Sequence, residues 1–150
     1  MKIYYIKTLL APMKIIMDRE DIISSEFVMN FNRHNLRYVK KLTKIINNYL
    51  FGMDDLRTFK IKLKGTIFQI KVWNEIMKIP YGQTKTYSEI AKNIGFPKSF
   101  RAVANACGQN KHALLIPCHR VVGINNLGGY KWAFEFKEAL LILEKNKSKR

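Results

Sequence analysis

Apolar and polar positions alternate along the first part of the chain, as they do in β-strands with one buried face. Three alternating runs predict antiparallel strands: residues 2–9, 14–18 and 21–28. Apolar residues then recur at helical spacing from Leu36 to Leu50, which predicts an amphipathic helix ending at Gly52. Together these elements predict a small N-terminal α/β lobe of antiparallel strands and a helix.

The pattern becomes helical further along the chain. Two capping-box pairs each predict the start of a helix: Thr66 with Gln69, and Thr86 with Glu89. The helix after the second pair is short and ends at Gly95, and residues 98–107 predict another short helix. Two short helices joined by a tight turn predict a helix-turn-helix over about residues 86–108.

These elements predict an α+β fold with two domains. The N-terminal α/β lobe spans residues 1–64, and a mainly helical C-terminal domain spans residues 65–150. Within the second domain, residues 109–130 predict loop and short strand, and a closing helix runs from about Ala133 through Glu144.

The charge narrows the choice of partner. The net charge is +16, and residues 78–134 hold eight Lys or Arg residues but a single carboxylate, Glu89. A solvated lysine-rich surface would explain the total, whereas this distribution favours a polyanion, with nucleic acid as the leading candidate. Charge alone does not separate DNA from RNA or from an anionic membrane. No apolar run approaches the roughly 20 residues of a membrane span, and Lys7, Pro12 and Lys14 interrupt the signal-like N-terminus, so we expect a cytoplasmic protein.

The candidate chemistry lies at Cys118, between Pro117 and His119. The spacing of cysteines and histidines predicts neither a disulfide framework nor a metal site. A thiol reacts as the thiolate, so it needs a base. In an extended segment His119 would point away from the sulfur, and a bridging water or a local twist would be required. Glu144 is a candidate partner for the imidazole. Each residue alone also fits a structural role, as a buried apolar cysteine or a satisfied histidine.

The second short helix carries small side chains, among them Ala102, Ala104, Ala106 and Cys107. One interpretation is a good helix former packed closely in the core. The other is a slim helix able to enter a groove, with Arg101 projecting near its start.

The motifs GTIFQIKVWNEIMKIPYGQTKTYSEIAKNIG, RAVANA, PCHRVV, LGGY and KEALLILE resemble the O6-alkylguanine-DNA alkyltransferases in order and spacing, over Gly65 to Glu144. The resemblance implies a ribonuclease-H-like N-terminal lobe and transfer of an alkyl group from O6 of guanine in DNA to Cys118. It also implies a Glu-His-water-Cys relay, a minor-groove recognition helix, and an arginine that enters the base stack.

The resemblance assigns residues to these roles. The catalytic residues would be Cys118, His119, Glu144, Asn110 and Tyr87. The DNA-binding residues would be Arg101, Tyr87, Ala102, Ala104, Asn105 and Lys98. The substrate pocket would be lined by Tyr130, Lys131, Trp132, Val121 and Cys107. The partner would be double-stranded DNA with O6-alkylguanine, O4-alkylthymine being a second candidate, and the protein a monomer without metal or cofactor.

The product of such a transfer is a thioether with no good leaving group, which predicts one turnover per molecule. Three departures from the family pattern matter. Trp132 stands where a glycine is usual, so we expect weaker reaction with O6-benzylguanine than with O6-methylguanine. Lys111 replaces the usual proline after Asn110, which leaves open how rigid the hinge before the active-site strand is. The N-terminal lobe lacks the cysteines that bind zinc in some relatives, so we expect no zinc site.

Three other functions compete with this interpretation. The first is a DNA-lesion binder of the alkyltransferase-like kind. Such proteins lack the cysteine, so the presence of Cys118 argues against this function. A helix-turn-helix regulator would carry more base-reading polar side chains than Arg101 and Asn105. A Cys-His hydrolase is favoured neither by the motifs nor by the spacing.

Overall fold

The computed structural model describes residues 1–29, 39–53, 56 and 59–148. It divides the chain into two compact units. The first comprises Met1–Lys62 together with Lys111–Leu115, and the second comprises Leu63–Asn110 together with Ile116–Arg150. The architecture is α+β, with a sheet in the first unit and mainly helices in the second.

The first unit is built on a four-stranded sheet in the order β1-β2-β3-β4. Its strands are β1 (Lys2–Lys7), β2 (Pro12–Asp18), β3 (Asp21–Phe27) and β4 (Lys60–Ile61). The first three pair antiparallel, as the alternation predicted, whereas β4 pairs parallel to β3. Helix α1 (Val39–Leu50) contributes Leu42, Ile46 and Leu50 to the buried core. The predicted helix start at Leu36 lies outside the described residues.

Residues 111–115 join the first unit, although the sequence placed them in the C-terminal domain. Backbone hydrogen bonds explain the difference, because Ser25 N donates to Lys111 O at 2.9 Å and Ala113 N donates to Ser25 O at 2.8 Å. The Ser25 hydroxyl also donates to Ala113 O at 2.9 Å. The segment therefore satisfies its polar groups against β3, a non-local pairing that no local pattern encodes.

The second unit contains four helices among its described residues, together with a short parallel pair of strands. The helices are α2 (Ile67–Ile76), α3 (Tyr87–Asn93), α4 (Phe100–Gly108) and α5 (Phe134–Ser148). The strands are β5 (Lys85–Thr86) and β6 (Val121–Val122). Both predicted capping boxes are present, at Thr66 and at Thr86. Helices α3 and α4 contact each other and form the predicted helix-turn-helix.

Two local predictions need correction. The segment Cys118–Arg120 forms a 3-10 turn, not an extended strand, so the expectation that Cys118 and His119 point to opposite faces does not apply. Helix α5 continues four residues past Glu144 to Ser148, which places Glu144 within the helix and not at its end. Within the described part of the chain, no helix has the length and apolarity needed to cross a membrane.

Candidate active site

Cys118 is buried, with 4% of its surface exposed, and lies at the start of the 3-10 turn. The fully buried Asn110 follows α4 and donates from Nδ2 to Cys118 Sγ at 2.9 Å and to Ile116 O at 3.1 Å. The Cys118 thiol faces the carbonyl oxygen of Cys107, 3.9 Å away. Asn110 therefore connects the end of the helix-turn-helix to the sulfur and presents a donor to it.

Burial raises the pKa of the Cys118 thiol well above its usual value, and the neighbouring Cys107 adds to this effect. The hydrogen bond from Asn110 and the charge of Lys137 act in the opposite direction without cancelling it. The resting group is therefore a neutral thiol, and it needs a base within the site before it can attack.

His119 and Glu144 form a buried contact, an arrangement typical of a base and the carboxylate that orients it. His119 Nε2 contacts Glu144 Oε2, and both side chains are buried. Because an ionised carboxylate can only accept, Nε2 carries the proton and Nδ1 presents a lone pair. Nδ1 is itself buried and has no hydrogen-bond partner among the described residues. Burial lowers the pKa of His119 and outweighs the opposing effect of Glu144, so the ring is neutral near pH 7.

Arg120 holds the second oxygen of the same carboxylate, although the sequence reasoning gave this residue no role. Its Nε donates to Glu144 Oε1 at 2.5 Å, and its Nη1 donates to Ile79 O at 2.9 Å. The backbone N of Gly82 also donates to Oε1, at 3.3 Å. Burial would raise the pKa of Glu144, but the hydrogen bond from His119 and the charge and hydrogen bond of Arg120 hold that pKa below its usual value. The carboxylate is therefore ionised while buried.

Lys137, fully buried on α5, is a second residue that the sequence reasoning missed. Its Nζ donates to Val121 O at 2.6 Å, to Gly129 O at 2.9 Å and to Tyr87 Oη at 3.4 Å. Burial lowers the pKa of Lys137 to about 8. A signal did exist, because Lys137 precedes the buried Leu140 and Glu144 by three and seven positions and so shares their helix face.

Tyr87 begins α3 and is held close to the glycine-rich loop before Tyr130. A β-carbon at Gly128, where φ is +73°, would lie 2.4 Å from Tyr87 Oη, so only glycine allows this approach. Burial raises the pKa of Tyr87 to about 12, with Cys107 and Cys118 adding to the effect. The phenol therefore stays protonated and can act as a hydrogen-bond donor.

Three of the predicted pocket residues, Tyr130, Lys131 and Trp132, follow that loop, whereas Cys107 lies on α4 and Val121 on β6. Lys131 Nζ donates to Asn110 O at 2.7 Å, which ties the loop to the residue that contacts the sulfur. The half-buried Trp132 packs edge-on against Tyr130 with ring centroids 5.2 Å apart, and the Tyr130 ring lies 6.4 Å from that of His119. The indole therefore belongs to the same aromatic cluster as the imidazole.

The predicted DNA-binding residues of α4 lie on its exposed face. Arg101, Ala102, Ala104 and Asn105 are exposed, as is Lys98 just before the helix, whereas Val103 and Ala106 are buried. Ala106 therefore belongs to the core, where its carbonyl accepts a hydrogen bond from Trp73 Nε1 at 2.9 Å. The core interpretation is therefore confirmed for Ala106, whereas entry into a groove stays a prediction for the exposed Ala102 and Ala104.

Among the described residues, no group of three or more His, Cys, Asp or Glu side chains could hold a metal ion. The arrangement is instead a buried thiol with an amide donor, a neutral imidazole, an ionised carboxylate and a protonated phenol. Such a set suits nucleophilic attack by sulfur with proton transfer to a nearby base.

Comparisons with known proteins point in the same direction. Residues 67–146 match the family model described as "6-O-methylguanine DNA methyltransferase, DNA binding domain". A relative from Acanthamoeba polyphaga mimivirus, named "Probable methylated-DNA--protein-cysteine methyltransferase", is 48% identical over 148 residues, covering 97% of each chain. A Methanosarcina acetivorans relative, named "Methylated-DNA--protein-cysteine methyltransferase", is 46% identical over 113 residues, covering 73% of this chain and 71% of its own.

Among solved structures, Mycobacterium tuberculosis OGT in complex with DNA is similar over 97% of this chain and 93% of its own. Its TM-score is 0.84 at 31% sequence identity. This similarity covers both units of the chain and not only the segment that carries the motifs.

Proposed function

Because the chain belongs to the 6-O-methylguanine DNA methyltransferase family, we propose that it repairs DNA by moving the alkyl group of O6-alkylguanine onto Cys118. The observation that carries this proposal is the pairing of Cys118 Sγ with Asn110 Nδ2, next to the buried contact between His119 and Glu144. The relatives named above act on methylated DNA and a protein cysteine, as their names state.

The first step is removal of the thiol proton. The lone pair on His119 Nδ1 is buried in the same turn as Cys118, and a water molecule between them would pass the proton from sulfur to ring. Glu144 accepts from Nε2 and stabilises the imidazolium that forms. Asn110 donates to the sulfur and so favours the thiolate over the neutral thiol.

The second step is displacement at the alkyl carbon. The thiolate forms the carbon–sulfur bond as the bond from that carbon to O6 breaks, and the guanine leaves with negative charge. Tyr87 is protonated and can donate a hydrogen bond to the base. The proton taken from the thiol then passes from the imidazolium to the guanine anion, so the products are an alkylated cysteine and a neutral guanine base. The resulting thioether has no good leaving group, so each molecule reacts once.

A base stacked in a duplex cannot reach a buried sulfur, so the nucleotide must be extruded. The exposed small side chains of α4 suit close approach to the minor groove, and Arg101 at its start would fill the space the base leaves. Unstacking costs a few kcal/mol, part of which the inserted guanidinium offsets. Lysines such as Lys98 would contact phosphates without reading sequence, which fits a lesion that occurs anywhere.

We further propose which substrates the protein accepts and in which compartment it acts. O6-alkylguanine in double-stranded DNA is the substrate and O4-alkylthymine a second candidate, with Trp132 limiting large alkyl groups. The protein acts as a monomer, without a cofactor, in a reducing compartment such as the cytoplasm, because Cys118 must remain a thiol.

Mass spectrometry after incubation with a duplex that contains one O6-methylguanine tests this function. We expect an increase of about 14 Da, one methylene, on the peptide with Cys118. The matched controls are Cys118→Ser, which should gain nothing, and Cys107→Ser, which should still be methylated on Cys118. An unmodified wild-type protein, or methylation on Cys107 instead, would contradict the proposal.

A further inference from the structure

An aromatic side chain interrupts the small-residue surface of α4. Phe100 is the first residue of the helix and is 45% exposed. Ala104 and Gly108 follow it at intervals of four, so the three lie in one row along the helix, and all are exposed. Exposed large apolar groups that border a binding face often become buried when the partner binds.

Phe100 also touches the residue proposed to enter the base stack. The guanidinium carbon of Arg101 lies 5.8 Å from the centroid of the Phe100 ring, within the range of a cation–π contact. An exposed arginine side chain has many rotamers, and a ring beneath its charged group restricts them. Phe100 therefore limits the directions in which Arg101 extends from the helix.

The surroundings of Phe100 favour a polyanion as the partner. Lys98 is exposed two residues before it and Arg101 directly after it, and the sequence from residue 90 to residue 134 has no Asp or Glu. An apolar ring between two exposed cations matches the minor groove of duplex DNA, where phosphates flank sugars and base edges.

We propose that Phe100 is a DNA-contacting wedge that acts together with Arg101. This inference rests on the proposed function and adds a residue to it. The ring supports the guanidinium and is itself buried against the sugar or base step beside the extruded nucleotide, as apolar side chains are in proteins that kink DNA from the minor groove. Phe100 is thus a positioning residue, because it touches neither the sulfur nor the alkyl group.

The test compares Phe100→Ala with Phe134→Ala. Phe134 is the first residue of α5 and is also 45% exposed, so both variants remove an equally exposed ring from the start of a helix. Two rates of Cys118 alkylation are measured, one with a duplex containing O6-methylguanine and one with the free base. Nucleotide extrusion is followed by the fluorescence of a base analogue placed next to the lesion.

We expect Phe100→Ala to slow alkylation by the duplex about 5- to 10-fold and to reduce the fluorescence change. Alkylation by the free base should keep its wild-type rate, as should both reactions of Phe134→Ala. An unchanged duplex rate in Phe100→Ala would overturn the inference, and so would an equal loss with the free base. If the wild-type protein is not alkylated at all, it is the proposed function that fails.

Discussion

Glu144 divides its two carboxylate oxygens between different partners, with Oε2 meeting His119 and Oε1 meeting Arg120 and the backbone of Gly82. This arrangement fixes the proton of the imidazole on Nε2 and leaves the lone pair of Nδ1 for the proposed role of base. The tautomer therefore depends on the acceptor at Oε2, and the position of the carboxylate depends on Arg120.

Glu144→Gln should slow alkylation of Cys118 about 100- to 10,000-fold, because an amide nitrogen facing Nε2 would donate to it and move the ring proton to Nδ1. Single-turnover kinetics with methylated duplex would measure the loss. DNA association should remain, since Glu144 lies on α5 and is buried, with 3% of its surface exposed. A variant that reacts at the wild-type rate would show that Glu144 is not the partner of the base.

The lowered pKa of His119 predicts the pH dependence of the reaction. Because the neutral ring is the proposed base, the rate should stay level as the pH falls from about 8 to about 6.5 and decline only below that, where His119 becomes protonated. A rate that halves near pH 6.5 would indicate an unperturbed histidine. Glu144 has a lowered pKa when folded, so its stabilising effect is present at neutral pH and lost only in acid, below this range.

Sequence and family resemblance together predicted Cys118, His119, Glu144 and Asn110, and the structure brings them together. Arg120 and Lys137 were missed because charged residues are expected at the surface, and their burial depends on partners distant in sequence. Arg120 meets Ile79 and Glu144, and Lys137 meets the carbonyls of Val121 and Gly129. Only the helical spacing of Lys137 with Glu144 could have indicated its inward position.

At the scale of elements, the helix starts were predictable and the turn at the cysteine was not. A capping box involves two residues only three positions apart, so Thr66 and Thr86 identified the starts of α2 and α3 from local sequence alone. The 3-10 turn Cys118–Arg120 is instead held by buried side chains of other elements, above all by Glu144 on α5. An apolar run before a proline gives no sign of that constraint.

Beyond Phe100 at its first residue, the exposed face of α4 carries only small or polar side chains along Ala102, Ala104 and Asn105, and it should tolerate no added bulk there if it enters a groove. Ala104→Leu keeps a good helix former at an exposed position, so the fold should be retained while close approach to DNA is blocked. We expect alkylation by methylated duplex to slow about 10-fold or more, by analogy with the cost of overpacking, and alkylation by the free base to be unchanged.

The matched control for Ala104→Leu is Asn74→Leu, an exposed position on α2. This variant adds the same side chain to a helix without changing the charge, and its duplex rate should equal that of the wild-type protein. If both variants slow equally, the small residues of α4 have no special role in DNA contact.

At the scale of the whole molecule, the division into two units could be predicted only in part from the sequence. The break between Lys62 and Leu63 lies two residues before the predicted boundary, but residues 111–115 return to the first unit through β3. Pairing of this kind joins segments more than 80 residues apart, such as those of Ser25 and Ala113. The hydrophobic pattern of neither segment indicates that the two pair.

The charge of the whole chain predicts how the reaction responds to salt. With 27 Lys and Arg residues against 11 Asp and Glu, the protein should attract DNA through its phosphates, and each contact made releases a counterion. With about four or more such contacts, affinity for undamaged duplex should fall at least about 100-fold between about 50 and 200 mM salt. Alkylation by the free base provides the control, because it involves no phosphate and should keep its rate. Affinity that does not change with salt would mean that the excess positive charge serves some purpose other than holding DNA.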